Sequence, residues 1–141
     1  MGPKGRCYCG AVHLTATCKP KTVAVCHCID CKRVTGAALA AFAAFSPDTV
    51  AFTPSLTDGI EVVPGVKRWF CSTCGSPLAA TFDYLPGQIY VPIGILDNAD
   101  DLAPNVQCYS NSALPWIASL SCVPSYDDSA STILNQTNAT P

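Results

Sequence analysis

Three cysteines stand within six residues in the stretch CHCIDC at residues 26–31, and this spacing is typical of metal ligands. The thiolates of Cys26, Cys28 and Cys31 can occupy three corners of a tetrahedron around Zn²⁺. A loop this short cannot easily supply the fourth ligand, so that position is filled from elsewhere or stays open. Zinc sites with four protein ligands are usually structural, whereas three protein ligands and an open position are the catalytic arrangement. The sequence therefore predicts a zinc site here and leaves open which kind it is.

A second group of four cysteines predicts another zinc site. Cys71 and Cys74 form a CxxC knuckle followed by Gly75, and such a knuckle commonly supplies half of a zinc site. Cys7 and Cys9 supply the other half, because two thiols at i and i+2 point to the same side of an extended chain. The four together predict a structural site that joins the N-terminal strand to the middle of the chain. A thioredoxin-like redox pair is less favoured, since the sequence lacks the βαβ context that it requires.

The composition favours one domain in a reducing compartment. The 141 residues, of which 49% are apolar, are enough for one domain with a substantial core. We expect a cytoplasmic protein, because the first residues show no apolar signal segment and no apolar run approaches a membrane span. In a reducing cytosol its ten cysteines are more often metal ligands than disulfides. A net charge of -2 offers no basic stripe for phosphates, so nucleic acid is not an expected partner, and the lack of a long apolar run gives no reason to expect a membrane.

Apolar segments between frequent turn signals predict a mostly β, antiparallel domain over residues 7–126. We expect a flexible leader over residues 1–6 and a disordered polar tail over residues 127–141. His13 is expected on the polar side of its strand. Gly36 is expected to end a helical turn over residues 32–35. Trp116 is expected to anchor the last packed segment. The predicted strands, rich in β-branched and aromatic residues, cover residues 11–17, 22–25, 37–45, 50–53, 60–63, 66–70, 78–84 and 88–93.

Seven of the cysteines stand within a longer order of motifs. These are CxCGAV from residue 7, CHCxxC from residue 26, FCxxCGxPL from residue 70, GxLD from residue 94 and LPW from residue 114. This order resembles the glutathione-dependent formaldehyde-activating enzyme and centromere protein V family over roughly residues 5–126. The resemblance implies an Mss4-like fold, in which antiparallel β-sheets form a tent around zinc. It also implies a structural zinc on Cys7, Cys9, Cys71 and Cys74, and a catalytic zinc on Cys26, Cys28 and Cys31.

The resemblance implies an enzyme that condenses formaldehyde with the glutathione thiol to S-hydroxymethylglutathione, which is carbon–sulfur lyase chemistry run backwards. A thiol substrate is physically reasonable, because zinc with three thiolate ligands is a poor electrophile toward water but can hold and deprotonate a soft thiol. The resulting thiolate is a good nucleophile toward a carbonyl carbon. Lys32, Arg33 and Arg68 lie next to the cysteine motifs and could receive substrate carboxylates, or could equally be solvated cations.

Two other functions are compatible with the same residues. A lyase, dehydratase or isomerase of secondary metabolism could use the open zinc on a small molecule other than glutathione. A non-catalytic, zinc-stabilised binding module would be favoured if Cys108, Cys18 or His27 closed the second zinc site. Cys108 is expected to be a buried small hydrophobe rather than a thiol beside the site or a fourth ligand, and Cys18 and Cys122 are expected to be buried too.

Three other polar residues near the motifs are expected to have supporting roles. His27 lies between two ligands on the chain, so its side chain should point away from the metal and pack or support the site. Asp30 and Asp97 have a motif context that would suit acid–base work, but capping or turn formation is expected before it.

Overall fold

The computed structural model describes residues 1–127, 129 and 131, and its strands form two sheets. In the smaller sheet the neighbouring strands are β1 (Lys4–Arg6), β2 (His13–Ala16) and β5 (Val50–Thr53). The larger sheet has six strands in the order β6 (Val66–Phe70), β7 (Pro77–Phe82), β8 (Ile89–Pro92), β4 (Ala40–Phe45), β3 (Thr22–Cys26) and β9 (Val106–Cys108). Neighbouring strands are antiparallel except β3 and β9, which run parallel, so the larger sheet is mixed.

The burial of the strands follows their sequence patterns. In β2 the side chains of Leu14 and Ala16 are buried and those of His13 and Thr15 are exposed, as a period of two along a half-buried strand requires. The central strand β4 is apolar throughout and almost fully buried, with Phe45 among the largest side chains of the core. A strand covered on both faces has no polar side to present, which is why β4 shows no alternation.

The helix α1 (Ile29–Thr35) connects β3 to β4 and has an identifiable cap at each end. Cys28 is the N-cap, and its sulfur accepts a hydrogen bond from the Cys31 N–H at 3.3 Å. Gly36 ends the helix in the left-handed conformation, with φ 67°, and its N–H donates to the Lys32 carbonyl. The helical turn predicted over residues 32–35 is therefore confirmed, and it begins three residues earlier than predicted.

The predicted mostly β fold class is confirmed. The strands β2, β3, β5, β6, β7 and β8 lie within or overlap predicted strands, and the alanine-rich segment 37–45 contains β4. Apart from α1, the connections between strands include short 3-10 turns, which fit the prediction of few short helical elements. In the part of the chain that the structure describes, no helix has both the length and the apolar character needed to cross a bilayer.

The prediction of a flexible leader over residues 1–6 is wrong for its second half, because residues 4–6 form strand β1. Gly5 pairs with Leu14 of β2, and the Pro3 carbonyl accepts a hydrogen bond from the Ala16 N–H at 2.8 Å. A side chain at Gly5 would clash with the carbonyl oxygen of Ile95, so the strand is held by close backbone contact rather than by apolar side chains. Nothing apolar in these six residues indicates such a strand, which is why sequence patterning misses it.

Other expectations about particular residues are also wrong. In place of a strand over residues 60–63, only Ile60 forms a bridge, with Arg68. Trp116 is 50% exposed, and the 3-10 helix that follows it, Ile117–Cys122, contains no buried residue, so this segment is not packed as expected. Cys18 and Cys122 are exposed rather than buried, and each lies outside the two sheets. Most of the predicted disordered tail, residues 128, 130 and 132–141, lies outside the described residues.

Candidate metal centres and their cavity

The four cysteines Cys7, Cys9, Cys71 and Cys74 come together with all sulfur atoms within 4.8 Å of one another. The Cys7 and Cys9 sulfurs are 3.6 Å apart, and those of Cys9 and Cys71 are 3.8 Å apart. Four thiolates around zinc at a Zn–S distance of about 2.3 Å form a tetrahedron with edges of about 3.8 Å. The spacing of the thiols therefore matches a tetrahedral tetrathiolate site, and this cluster could hold a metal ion.

Two glycine-containing turns bring these sulfurs together. In the first turn the Gly10 N–H donates to the Cys7 carbonyl at 3.1 Å, with Gly10 at φ 80°. In the second, between β6 and β7, the Gly75 N–H donates to the Cys71 carbonyl at 2.8 Å, with Gly75 at φ 76°. Both positions require a left-handed backbone, which glycine adopts without steric cost. Cys7 and Cys9 were expected on an extended chain. They lie instead at a turn, which also brings their sulfur atoms close together.

Hydrogen bonds to sulfur prepare some of these thiols to be thiolates. The Ser76 hydroxyl, 3.2 Å from the Cys74 sulfur, lowers the pKa of that thiol to about 5, with help from the Ser76 backbone. For Cys7, burial raises the pKa, but a backbone hydrogen bond from Val12 and the thiols of Cys9 and Cys71 outweigh it, so the pKa is lowered. Thiolates are the form that binds metal, so these contacts favour the ligand state.

The second cluster consists of Cys26, Cys28 and Cys31, whose sulfur atoms also lie within 4.8 Å of one another. Cys26 ends β3, Cys28 caps α1, and Cys31 lies in the first turn of that helix. Burial raises the pKa of Cys26 and of Cys31. Burial opposes ionisation of Cys28 as well, but the Cys31 N–H and the two neighbouring thiols lower its pKa overall. These contacts favour the thiolate form of Cys28, which is the form that binds metal.

Neither His27 nor Cys108 joins this cluster. The His27 ring is 1% exposed, its Nε2 lies 2.9 Å from Gln107 Oε1, and neither of its ring nitrogens is among the mutually close ligand atoms of the cluster. Cys108 is the register partner of Cys26 in the parallel pair of β3 and β9. Cys108 is exposed, so the expected buried role is wrong, and its strand β9 lies at the edge of the larger sheet, where it pairs with a strand on one side. Its sulfur lies outside the group of three mutually close sulfurs.

The three-cysteine cluster borders a cavity of about 620 Å³. The four-cysteine cluster does not line it. A cavity of this size suits a small organic ligand, for which typical sites measure about 300–1,000 Å³. Three tyrosines that the sequence analysis did not single out, Tyr84, Tyr90 and Tyr109, line the same cavity. Tyr109 has the positive φ of 54°, which is uncommon for a bulky residue and often marks functional segments.

The three cations proposed for substrate carboxylates have different positions. Arg68 lines the cavity, where its guanidinium carbon lies 5.4 Å from the centre of the Phe82 ring. Lys32 Nζ instead donates to the Ser112 carbonyl at 2.9 Å, so it joins α1 to the segment after β9. Arg33 lines an adjacent cavity of about 280 Å³ and not the one beside the thiols.

The two carboxylates with a suggestive motif context are also separated. Asp30 lies in the first turn of α1, where a carboxylate interacts favourably with the helix N-terminus, and it lines both of these cavities. The Asp97 N–H donates to the Lys4 carbonyl at 2.9 Å, and Asp97 does not line the cavity beside the three thiols. A turn role for Asp97 fits this position.

Together the fold and the clusters define a mostly β domain with two candidate cysteine metal sites, one of which opens on a ligand-sized cavity. The sequence profile of the family described as "Glutathione-dependent formaldehyde-activating enzyme" matches residues 2–112. The chain belongs to that family. Its structure is similar to the crystal structure of a Rhodobacter sphaeroides protein, at 27% identity and a TM-score of 0.56, covering 74% of this chain and 98% of that one. No curated protein sequence gives a significant match.

Proposed function

We propose that the protein is a zinc-dependent enzyme of carbon–sulfur lyase type, in which Cys26, Cys28 and Cys31 hold the catalytic zinc. The observation that carries the proposal is the position of these three clustered sulfurs at the edge of a cavity of about 620 Å³, with the neighbouring Cys108 outside the cluster. Three sulfurs beside open space are the donor set of a zinc site that accepts a substrate. The family match supports a thiol and an aldehyde as the class of reactants.

The donor chemistry fits zinc at both clusters. Sulfur-only ligation suits zinc and disfavours magnesium and calcium, which take oxygen ligands. Cys7, Cys9, Cys71 and Cys74 would hold a structural zinc, because four protein ligands leave no position for a substrate. At the three-cysteine cluster, zinc would supply an open position for a soft thiol or a carbonyl oxygen and would stabilise the charge that develops there. The ten free cysteines fit the reducing cytoplasm that we propose as the setting.

The other residues of the cavity would orient the reactants. In the addition, a bond forms between the substrate sulfur and the carbonyl carbon, the carbonyl π bond breaks, and the thiol proton ends on the carbonyl oxygen. Tyr84 and Tyr109 line the cavity with the three cysteines, and their hydroxyl groups are the candidate hydrogen-bond donors to that oxygen. Arg68 would receive a carboxylate of the substrate where there is one.

The test is zinc content per chain, measured by elemental analysis, together with the rate at which thiol and formaldehyde form the hydroxymethyl thioether, followed by NMR. We expect two zincs in wild type, one in Cys28→Ser and two in Cys108→Ser. Cys18→Ser is the matched control, because it makes the same substitution at an exposed thiol away from both clusters. We expect Cys28→Ser to lose catalysis, while Cys18→Ser keeps the wild-type rate.

Two results would overturn this proposal. If Cys108→Ser lost one zinc, the site would have four protein ligands and the non-catalytic binding module would become the better interpretation. If Cys28→Ser kept both zincs, the cluster would not be a zinc site. A specific feature, the aromatic lining of the cavity, favours the alternative in which the substrate is a small molecule other than glutathione.

A further inference from the structure

The cavity beside Cys26, Cys28 and Cys31 is unusually rich in aromatic side chains. The chain has five phenylalanines and five tyrosines. Five of these ten line this one cavity: Phe42, Phe82, Tyr84, Tyr90 and Tyr109. A core placement would explain Phe42, which is buried, but not Tyr84 and Tyr109, which are 69% and 63% exposed. Large exposed aromatic groups around a cavity are typical of a surface that a ligand covers.

Four of the rings form one continuous wall. Phe42 and Tyr90 meet at 6.5 Å between ring centres with their planes at 88°, and Tyr90 meets Phe82 at 5.4 Å and 76°. Phe82 meets Tyr84 at 5.5 Å and 50°. The separations lie in the range at which aromatic rings attract one another, so the wall is preorganised and would offer further ring edges and faces to a ligand. Tyr109 reaches the cavity from the segment after β9, on a different element.

The charges at the cavity do not suit a substrate with two carboxylates. Glutathione carries two carboxylates and one ammonium group at neutral pH. Among the described residues that line the cavity, Arg68 is the one lysine or arginine, and its guanidinium carbon already lies over the Phe82 ring. Asp30 adds a carboxylate at the cavity, and zinc held by three thiolates would carry a net charge of about -1, so neither would attract a second substrate carboxylate. A substrate with little net negative charge would enter at a smaller electrostatic cost.

We propose that the substrate is an uncharged or weakly charged aromatic small molecule, bound through its ring to the aromatic wall with its sulfur or carbonyl group at Cys26, Cys28 and Cys31. This inference rests on the proposed function for the role of the cysteines, and it adds the chemical class of the substrate. The aromatic wall provides affinity through ring contact, and the tyrosine hydroxyls at its edge provide polar contacts.

The proposal is tested by calorimetric binding to the zinc-loaded full chain, without turnover. The probes are 2-naphthalenethiol, which has an aromatic ring system and a thiol, 2-mercaptoethanol, which has a thiol and a hydroxyl but no ring, and glutathione. We expect 2-naphthalenethiol to bind at least tenfold more tightly than either of the other two. Tyr84→Ala and Tyr109→Ala should each weaken the binding of 2-naphthalenethiol by about threefold to tenfold, the size of an aromatic pair contact, and should weaken the binding of 2-mercaptoethanol less. Both residues are exposed, so neither substitution threatens folding.

Tyr8→Ala is the matched control, because Tyr8 is the most exposed tyrosine and lies away from this cavity. Equal weakening of 2-naphthalenethiol by Tyr8→Ala, or binding of glutathione as tight as that of 2-naphthalenethiol, would overturn the aromatic substrate class. Glutathione turnover with formaldehyde would then still support the proposed function. Ring-dependent binding that persists in Cys28→Ser, with no turnover of any thiol by wild type, would support the aromatic class and refute the proposed chemistry.

Discussion

Loss of the four-cysteine metal site is expected to cost about twice as much stability as loss of the three-cysteine site. A metal bound by Cys7, Cys9, Cys71 and Cys74 cross-links two chain segments, and Cys9 and Cys71 are 62 residues apart. The chain-entropy relation for a cross-link gives about 4 kcal/mol for this separation. Cys26 and Cys31 are five residues apart, and the same relation gives about 2 kcal/mol for them.

These free energies translate into melting temperatures that can be measured. For a chain of this size each kcal/mol corresponds to about 3 °C, so we expect a fall of about 12 °C in Cys71→Ser and about 6 °C in Cys28→Ser. The assay is thermal unfolding by circular dichroism in zinc-containing buffer, with Cys18→Ser as the control for the substitution itself. Metal binding by unfolded cysteines would reduce both shifts but would leave their order unchanged.

A chelator gives an independent check on the same reasoning. Wild type in excess chelator should melt below either single variant, because both sites are then empty. Equal melting temperatures for Cys71→Ser and Cys28→Ser would show that long-range cross-linking is not what the four-cysteine cluster contributes. An unchanged melting temperature in chelator would refute the assignment of metal to both clusters.

Two further predictions concern the backbone and the buried histidine. Gly5→Ala should lower the free energy of unfolding in urea by more than 2 kcal/mol, because its Cβ would clash with the Ile95 carbonyl, and Gly94→Ala, with open space around its Cβ, should change it little. Equal effects would mean that β1 is dispensable. Gln107→Leu should lower the free energy of unfolding by about 1–3 kcal/mol, because it leaves the buried His27 Nε2 without its hydrogen-bond partner. Gln107→Glu keeps an acceptor at this position, so it should lower the free energy of unfolding less. Equal losses for the two variants in urea unfolding would contradict this reasoning.

The two cysteine clusters could be predicted from the sequence because most of their members are close together along the chain. CxxC and CxCxxC spacings place thiols on one turn, and only the pairing of the knuckle with Cys7 and Cys9 needed a long-range inference. Gly36 as a helix end was predictable for the same reason, since a left-handed cap depends on one residue. The strands could be predicted from alternating apolar and polar residues where one face of the strand is buried, as in β2.

The aromatic wall could not be predicted, because strand order in the sheet is not sequence order. Phe42, Phe82 and Tyr90 lie on β4, β7 and β8, and only the pairing of these three strands brings their rings together. A weak signal was present in Phe82 and Tyr84, which are two residues apart in a predicted strand and hence on one face. The prediction that Cys108 is buried was wrong for the same kind of reason. A lone cysteine is usually buried, but Cys108 is exposed on the edge strand β9, and the sequence does not show which strand forms the edge.

The two clusters are connected through the hairpin of β6 and β7. The knuckle with Cys71 and Cys74 lies at the turn between these strands. The same strands carry Arg68 and Phe82, which line the cavity beside the other cluster. A metal at the knuckle would fix the end of the hairpin, and the hairpin in turn fixes one wall of the cavity. Cys71→Ser should therefore weaken 2-naphthalenethiol binding even though Cys71 does not line the cavity, and unchanged binding at a temperature where the variant is folded would show that the wall is rigid without the knuckle metal.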